Sequence, residues 1–200
     1  MTPATPAGDS WTGPYVGLFT GLAIIDSELS VTNGVNALNV DSLTGRSILG
    51  GFRAGYDFQF ESLVLGLEGS VSFDDARVKI AAPNVFSAKA GRDWTVNGSL
   101  RLGMALSADT LAYALGGISA SRIKLKTAWG GAAPGAFSGS DVYTGFHVGG
   151  GLEHRFMENL SVRLEYRYTG YGKKTYRIRN TAMRIDPGMH AITVGLSWRF

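Results

Sequence analysis

Apolar and polar side chains alternate with a period of two residues over residues 47–61. The apolar parity consists of Ile48, Gly50, Phe52, Ala54, Tyr56, Phe58 and Phe60. The other parity consists of Leu49, two glycines, and the polar or charged residues Arg53, Asp57, Gln59 and Glu61. Successive side chains of a β-strand point to opposite faces. The segment therefore predicts a strand with one apolar face and one charged face.

The same alternation recurs along the chain and predicts eight strands in all. It is clear at 63–74, 93–106, 160–171 and 190–200, and it is weaker at 15–25, 111–125 and 142–156. No segment has the 3.6-residue period of an amphipathic helix. No stretch of about 18 uncharged apolar residues could form a transmembrane helix. The pattern is typical of an all-β chain.

The connections between the predicted strands alternate in length. Short turns are predicted at 61–62, 107–110 and 157–159, and long polar loops at 26–46, 75–92, 127–141 and 172–188. Outer-membrane barrels have short periplasmic turns and long extracellular loops, and a strand of about 9–11 residues crosses the bilayer. We therefore expect an eight-stranded antiparallel up-and-down transmembrane β-barrel with strands of roughly 11–16 residues. An even strand number places both termini on the periplasmic side.

Alternation alone does not say which face lies inside, because a soluble barrel such as a lipocalin has apolar side chains inside and polar ones outside. The charged face here has mixed signs, which suits a narrow lumen where each charge has a partner. We predict a lumen charge network of Arg53, Asp57, Glu68, Arg101, Glu153, Arg155, Arg163, Glu165, Arg167 and Arg199. Glycines on the same face would make room for the long arginines, and the eleven assigned to it include Gly17, Gly116 and Gly151.

Aromatic residues cluster at the two ends of the apolar face, which favours a membrane-facing exterior. Those predicted near the short turns are Phe58, Phe60, Tyr113, Phe156, Trp198 and Phe200, and those near the long loops are Phe73, Trp94 and Tyr168. Two such belts are typical of the bilayer interfaces. We therefore assign the apolar face to lipid.

Composition limits the remaining possibilities. The 200 residues suit one domain, which we predict as a flexible tail over 1–10 and a barrel over 11–200. The net charge of +3 comes from scattered lysines and arginines, which does not indicate nucleic-acid binding. There is no cysteine, and residues 1–10 lack the basic and apolar regions of a signal peptide.

Two motifs carry a resemblance to a known family. The segment of residues 10–17, SWTGPYVG, resembles the opening of mature small outer-membrane proteins of alphaproteobacteria, the porin-like opacity-protein and OmpA-type barrel group. Gly195, Leu196, Trp198 and Phe200 resemble the C-terminal signal that the barrel-assembly machinery recognises. The resemblance implies a lipopolysaccharide-associated surface protein in outer-membrane lipid. It also implies that some members are tied to peptidoglycan.

The leading functional hypothesis is a structural barrel with a charge-plugged lumen, and the alternatives are a narrow porin-like channel and loop-mediated binding. Loop-mediated binding would take lipopolysaccharide or a host partner, with Lys173, Lys174, Arg177, Arg179 and Arg184 as predicted lipopolysaccharide contacts. We do not expect an enzyme, because none of the three histidines has a serine at the same-face spacing of two residues. We expect His147 to face the lumen near Glu153 and Arg155, and we expect no cofactor or metal.

Overall fold

The computed structural model describes the backbone of residues 11–33, 36–74, 77–82, 86–129, 135–171, 174–178 and 181–200. Its side chains are described for residues 11–24, 46–74, 93–122, 140, 142–171 and 188–200. The strands are β1 (Gly13–Asn33), β2 (Asn36–Phe60), β3 (Leu63–Asp74), β4 (Arg77–Ala82), β5 (Phe86–Ala105), β6 (Thr110–Trp129), β7 (Gly135–Arg155), β8 (Leu160–Gly170), β9 (Lys174–Ile178) and β10 (Thr181–Arg199).

Eight of these strands close into an all-antiparallel barrel. Their order is β1-β2-β3-β5-β6-β7-β8-β10, and β10 pairs with β1 to complete the ring. The short strands β4 and β9 lie outside the ring, where each pairs with one neighbour, β5 or β10. The predicted eight-stranded antiparallel barrel is confirmed. Because the ring is closed, no barrel strand presents an unpaired edge along its shared length.

Three tight turns, the start of β1 and the end of β10 all lie at one end of the barrel, which we call the turn end. The turns lie at 61–62, 106–109 and 156–159. Backbone bonds such as Leu106 N–H to Thr110 O (2.8 Å) close them. Glu61 has a φ of 55°, the left-handed conformation that allows its two-residue turn. We call the opposite end of the barrel the hairpin end.

The long connections differ from the expectation. The segment predicted as a loop at 26–46 consists largely of strand, since β1 continues to Asn33 and β2 begins at Asn36. These two strands have 21 and 25 residues, well beyond the predicted length. The alternation used to find strands arises only where one face meets lipid. Antiparallel backbone pairing needs no such contrast, so it continues beyond the apolar segment.

The strand register fixes a narrow barrel. Following paired residues once around the ring from Ala23 through Ala191, Arg167 and Gly149 leads back to β1 at Gly13, ten residues before Ala23. This stagger requires tilted strands, and an eight-stranded barrel has an interior just wide enough for side chains to fill.

The outer wall is apolar, as the alternation predicts. In β3 every second residue from Val64 to Ser72 is buried, while Leu65, Leu67 and Phe73 are exposed on the outer face. The outer wall also exposes Phe52, Leu100, Ile118, Leu164 and Ile192.

Strand β6 is the exception to the predicted faces. Tyr113 was expected outside and Gly116 inside, but Tyr113 is 6% exposed in the lumen and Gly116 lies on the outer face. Glycines lie on both faces of this strand, and apolar side chains do too, with Leu111 and Leu115 inside and Ile118 outside, so apolarity does not distinguish the faces. Its orientation is set by pairing, because Leu111 lies opposite the inward Glu153 and Leu115 opposite the inward Gly149.

A lipid-facing wall predicts a depth-dependent cost for an introduced charge. Replacing Leu102, which is 52% exposed on the outer face, by arginine should cost about 2–4 kcal/mol of unfolding free energy in lipid. The matched change at Leu106, on the same face at the turn end, should cost only about 0–1 kcal/mol. Urea titration of both variants in vesicles measures the difference. Equal effects would contradict the assignment of the outer face to lipid.

Candidate functional site

The ten residues of the predicted charge network all point into the lumen. None of them is more than 9% exposed, although six are arginines. They come from six strands and are Arg53 and Asp57 (β2), Glu68 (β3), Arg101 (β5), Glu153 and Arg155 (β7), Arg163, Glu165 and Arg167 (β8), and Arg199 (β10). We call this group the lumen network.

The carboxylate of Asp57 joins two strands at the turn-end half of the network. Its Oδ2 accepts hydrogen bonds from Arg101 and from Arg199, each at 2.8 Å. Arg101 also donates to Glu153. Glu153 in turn accepts a hydrogen bond from the Ser161 hydroxyl at 2.6 Å. Neighbouring and distant strands are thus tied across the lumen.

The other half of the network centres on two glutamates. Glu68 accepts a hydrogen bond from Arg163 at 2.6 Å, and Glu165 accepts from Arg53 at 3.1 Å and Arg167 at 2.8 Å. Arg163 Nε also lies 3.4 Å from Glu153, which links the two halves. Burial of an isolated charge is very costly, and these mutual contacts offset part of that cost.

Two tyrosines complete the network, and sequence reasoning missed both. Tyr15 donates to Glu68 and Tyr113 donates to Glu165, each at 2.8 Å. The guanidinium of Arg101 lies 4.0 Å from the ring centroid of Tyr113, and that of Arg163 lies 4.7 Å from it. Tyr15 could have been found, because it shares the parity of the inward-assigned Gly17. Tyr113 gave no such signal.

Trp11 fills the turn end of the lumen, which the sequence did not predict. Its side chain is fully buried and packs with Val64 and Leu111. The guanidinium groups of Arg155 and Arg199 lie 4.4 and 5.4 Å from its ring. Arg199 also donates to the Trp11 backbone carbonyl, and the Trp11 backbone N–H donates to Gln59 Oε1 at 2.6 Å. These contacts hold the start of β1 against the end of β10.

Glycines leave space for neighbouring side chains in the lumen. A Cβ added at Gly66 would lie 2.1 Å from Asp57 Oδ1, and one at Gly151 would lie 2.7 Å from the Tyr113 hydroxyl. Both contacts are far inside ordinary van der Waals distance, so a side chain at either position would displace a network residue. At Gly66 and Gly151 the absence of a side chain therefore leaves room for Asp57 and Tyr113.

A second polar group lies nearer the hairpin end, around His147. This side chain is fully buried, with Nε2 2.8 Å from the Ser99 hydroxyl and Nδ1 2.9 Å from the Ser119 hydroxyl. Ser119 donates its proton to Asn97 Oδ1 at 2.6 Å, so it accepts from Nδ1–H of the histidine. Nε2 must then accept from Ser99. The hydrogen bonds thus run in one direction, from Ser99 through His147 and Ser119 to Asn97.

His147 faces the lumen, as expected, but its hydrogen-bond partners are the hydroxyls of Ser99 and Ser119 and not the expected neighbours Glu153 and Arg155. A serine does meet a histidine here, although none was expected from the spacing within a single strand. Ser99 and Ser119 lie on neighbouring strands, so only the barrel brings them to the imidazole. Ser99 is 5% exposed and His147 is fully buried, so the pair packs the lumen.

Polar and apolar side chains share the lumen beyond His147. Ser121 bonds to Thr95 and to the Tyr171 hydroxyl, both at 2.7 Å. The opposite side of the lumen is an apolar cluster of Phe19, Ala23, Leu49, Met189 and Ala191. The described lumen is therefore lined by packed side chains from Trp11 to Tyr171.

The remaining predicted site residues are placed as follows. Gly195 faces inwards, whereas Leu196, Trp198 and Phe200 are exposed on the outer face at the turn end. Lys173 and Arg179 lie outside the described residues. Lys174, Arg177 and Arg184 belong to β9 and β10, but their side chains also lie outside the described part.

Neither a metal cluster nor a membrane-spanning helix is found in the part of the chain that the structure describes. No three histidine, aspartate or glutamate side chains there are arranged to hold a metal ion. No helix there is long and apolar enough to cross a membrane.

A closed antiparallel barrel with an apolar outer wall and a polar interior is characteristic of outer-membrane barrel proteins. A family model for the outer membrane protein beta-barrel domain matches residues 1–200, and the chain belongs to this family. The resemblance inferred from its opening and closing motifs is confirmed.

Named relatives agree with this assignment. The 25 kDa outer-membrane immunogenic protein of Brucella abortus biovar 1 (strain 9-941) is 30% identical over 96% of this chain and 80% of its own length. The 22 kDa outer membrane protein of Rhizobium leguminosarum bv. viciae is 24% identical over 99% of this chain and 82% of its own. The family and these names place the protein in the outer membrane.

The fold is also similar to that of a solved structure. The outer membrane protein OprG from Pseudomonas aeruginosa aligns with a TM-score of 0.52 and 12% identity, covering 96% of this chain and 99% of that one. At this identity the likeness concerns the fold alone.

Proposed function

We propose that the protein is a structural outer-membrane barrel with a charge-plugged lumen, which contributes to envelope integrity and displays its long hairpins outside the cell. The observation that carries the proposal is the lumen network, in which six arginines and four carboxylates are buried. Each of the four carboxylates contacts at least one arginine. A narrow barrel filled in this way resists solute passage and ties distant strands together.

The proposed orientation places the turn end and both termini in the periplasm and the hairpin end outside. The short turns and long hairpins support it, because outer-membrane barrels are wired in this way. The exposed, alternating Leu196, Trp198 and Phe200 suit recognition by the barrel-assembly machinery. Binding of lipopolysaccharide by the last hairpin, and a tie to peptidoglycan, remain predictions of the sequence.

Single-channel recording tests the plugged lumen. The refolded protein, verified by its shift on an unboiled gel, should give no reproducible conductance steps in a planar bilayer. An outer-membrane porin of known conductance, inserted in the same bilayers, serves as the positive control. Stable steps from the wild-type protein would contradict the proposal.

A narrow channel is the second candidate, and the charge balance of the lumen favours it. The lumen network has two more arginines than carboxylates, and the side chains near its hairpin end include Thr95, Ser121 and Thr169. Water held by such groups could carry small anions. If steps appear, their reversal potential in a salt gradient should show weak anion preference. That preference should fall when Arg167, the most exposed arginine of the network, is replaced by glutamine.

Surface display makes the hairpins candidates for recognition by other molecules. The Brucella relative is named an immunogenic protein, which is in keeping with exposed segments in that protein. For the last hairpin, replacing Lys173, Lys174, Arg177, Arg179 and Arg184 by glutamine should reduce lipopolysaccharide co-purification. Unchanged co-purification would contradict a role for these five residues.

A further inference from the structure

The outward side chains change from apolar to basic at the hairpin end of the apolar band. On β2 the outward apolar residues run from Phe60 to Ile48, and the next outward side chain is Arg46. On β10 they run from Trp198 to Ile192, and the next is His190. Basic side chains therefore occupy the rim where lipid headgroups begin.

The two ends of the barrel differ in charge. Each described turn at the turn end exposes one carboxylate, from Glu61, Asp109 or Glu158. At the hairpin-end rim the exposed outward charges among the described side chains include Arg46 and Arg122. This asymmetry matches a leaflet with anionic headgroups at the hairpin end.

Strand pairing brings Arg46 and His190 onto one patch of the wall. Arg46 pairs with Ile24, Ile24 pairs with His190, and His190 pairs with Tyr168, all on the outer face. Arg46 and His190 are thus two strand spacings apart, about 10 Å between Cα atoms. We call Arg46, His190, Tyr166 and Tyr168 the wall patch.

Aromatic contacts hold the imidazole of His190 in this patch. Its ring centroid lies 5.0 Å from that of Tyr168 and 6.0 Å from that of Tyr166. Its Nδ1 lies 2.7 Å from the Tyr166 hydroxyl. When Tyr166 donates this hydrogen bond, the ring proton sits on Nε2. Within the described residues no hydrogen bond to Nε2 is found, and the His190 side chain is half-exposed on the outer face.

We propose that the wall patch binds the headgroup of one phosphorylated glycolipid of the outer leaflet. Arg46 and the Nε2–H of His190 supply donors suited to phosphate oxygens. Between and beside them, Ile24 and the two tyrosines supply apolar and ring surface with a hydroxyl, which suits the faces and edges of sugar rings at headgroup level. The patch thus offers phosphate donors and sugar-stacking surface side by side over a width of two strand spacings.

This site lies on the barrel wall and is separate from the last hairpin. The inference rests on the proposed orientation, in which the hairpin end lies in the outer leaflet, but it does not depend on whether the lumen conducts. Orientation is checked on its own with Ser62→Cys, since the chain has no cysteine. A membrane-impermeant maleimide should leave intact cells carrying this variant unlabelled, and labelling would overturn the orientation.

Binding is measured with purified, refolded protein in detergent micelles. The probes are bisphosphorylated lipid A, the same lipid without phosphates, and phosphatidylethanolamine, each titrated with fluorescently labelled protein by thermophoresis. The variants are Arg46→Gln and His190→Ala. The matched control is Arg122→Gln, which removes the same charge at the same rim but on β6, the opposite wall of the barrel.

We expect Arg46→Gln and His190→Ala each to weaken binding of bisphosphorylated lipid A by about fivefold or more, as loss of a charge-assisted hydrogen bond would. Arg122→Gln should change it less than about twofold. Gel shift verifies that each variant is folded. Equal weakening by Arg122→Gln would mean diffuse attraction and overturn the site. Unchanged binding by the two patch variants, or equal binding of the lipid without phosphates, would overturn it as well.

Discussion

Replacing Arg163 by methionine should lower the free energy of unfolding by about 3–5 kcal/mol. Arg163 is 1% exposed and contacts both Glu68 and Glu153, so its removal leaves buried carboxylates with less compensation. The methionine keeps much of the side-chain volume, which limits any cavity. Urea titration of the refolded protein in lipid vesicles, followed on unboiled gels, measures the change.

The second variant in this test also removes the charge of Glu68, which loses its contact with Arg163 in the first variant. Glu68→Gln in the Arg163→Met background should recover a substantial part of the loss, because a neutral amide still accepts the hydrogen bond from Tyr15. A double variant no more stable than Arg163→Met alone would mean that packing around Arg163, and not its charge, stabilises the lumen. A loss below about 1 kcal/mol in the single variant would place the network in water, as for exposed pairs.

Replacing Trp11 by alanine should cost about 3–5 kcal/mol, the range for a fully buried aromatic side chain. The change removes the ring that packs against Val64 and Leu111 and lies within 5.4 Å of the guanidinium groups of both Arg155 and Arg199. It also loosens the contact between the start of β1 and the end of β10, and the pairing of these two strands closes the barrel. The unfolding rate in urea should therefore rise along with the loss of stability.

Trp11→Phe is the matched control for this effect. The indole Nε1 has no hydrogen-bond partner among the described residues, so phenylalanine loses packing area but no hydrogen bond. We expect it to retain more than half of the stability lost in Trp11→Ala. If phenylalanine were as destabilising as alanine, packing of the aromatic ring of Trp11 would be the wrong explanation.

Both predictions test whether side chains buried in the lumen, one charged and one aromatic, stabilise the barrel. Buried ion pairs are often no more stabilising than apolar residues of the same volume, but losing one partner is costly. The outer wall already uses apolar residues to face lipid. A lumen of mixed charges distinguishes inside from outside, so each strand has one face suited to each environment. A strand shifted by one residue would expose several arginines to lipid and bury phenylalanines among charges.

The fold was largely predictable because the bilayer imposes a simple rule on each strand. Where one face meets lipid and the other meets charges, a period of two residues is visible in the sequence, as in β2, β3 and β8. The rule weakens in β6, where small residues occur on both faces, and there Tyr113 and Gly116 were assigned to the wrong sides. It is silent where the alternation ends, although the backbone of β1 continues as strand to Asn33.

The ten charged residues of the lumen could be named from the sequence because charge is conspicuous on an alternating strand. Their partners across the lumen could not. The hydrogen bond from Arg53 to Glu165 joins residues 112 positions apart, and the one from Arg163 to Glu68 joins residues 95 apart. Such pairs depend on the stagger of the closed ring, which no single strand contains.

The sequence by itself determined the strand number, the antiparallel up-and-down order, the lipid-facing side of most strands and the outer-membrane family. These follow from local periodicity and turn length, which are properties of neighbouring residues. Only the tertiary structure decided that Trp11 fills the turn end, that Tyr15 and Tyr113 bind the two central glutamates, and that two serines meet His147. These contacts arise because closing the barrel with a stagger of ten residues brings distant strands face to face across a lumen only as wide as its side chains.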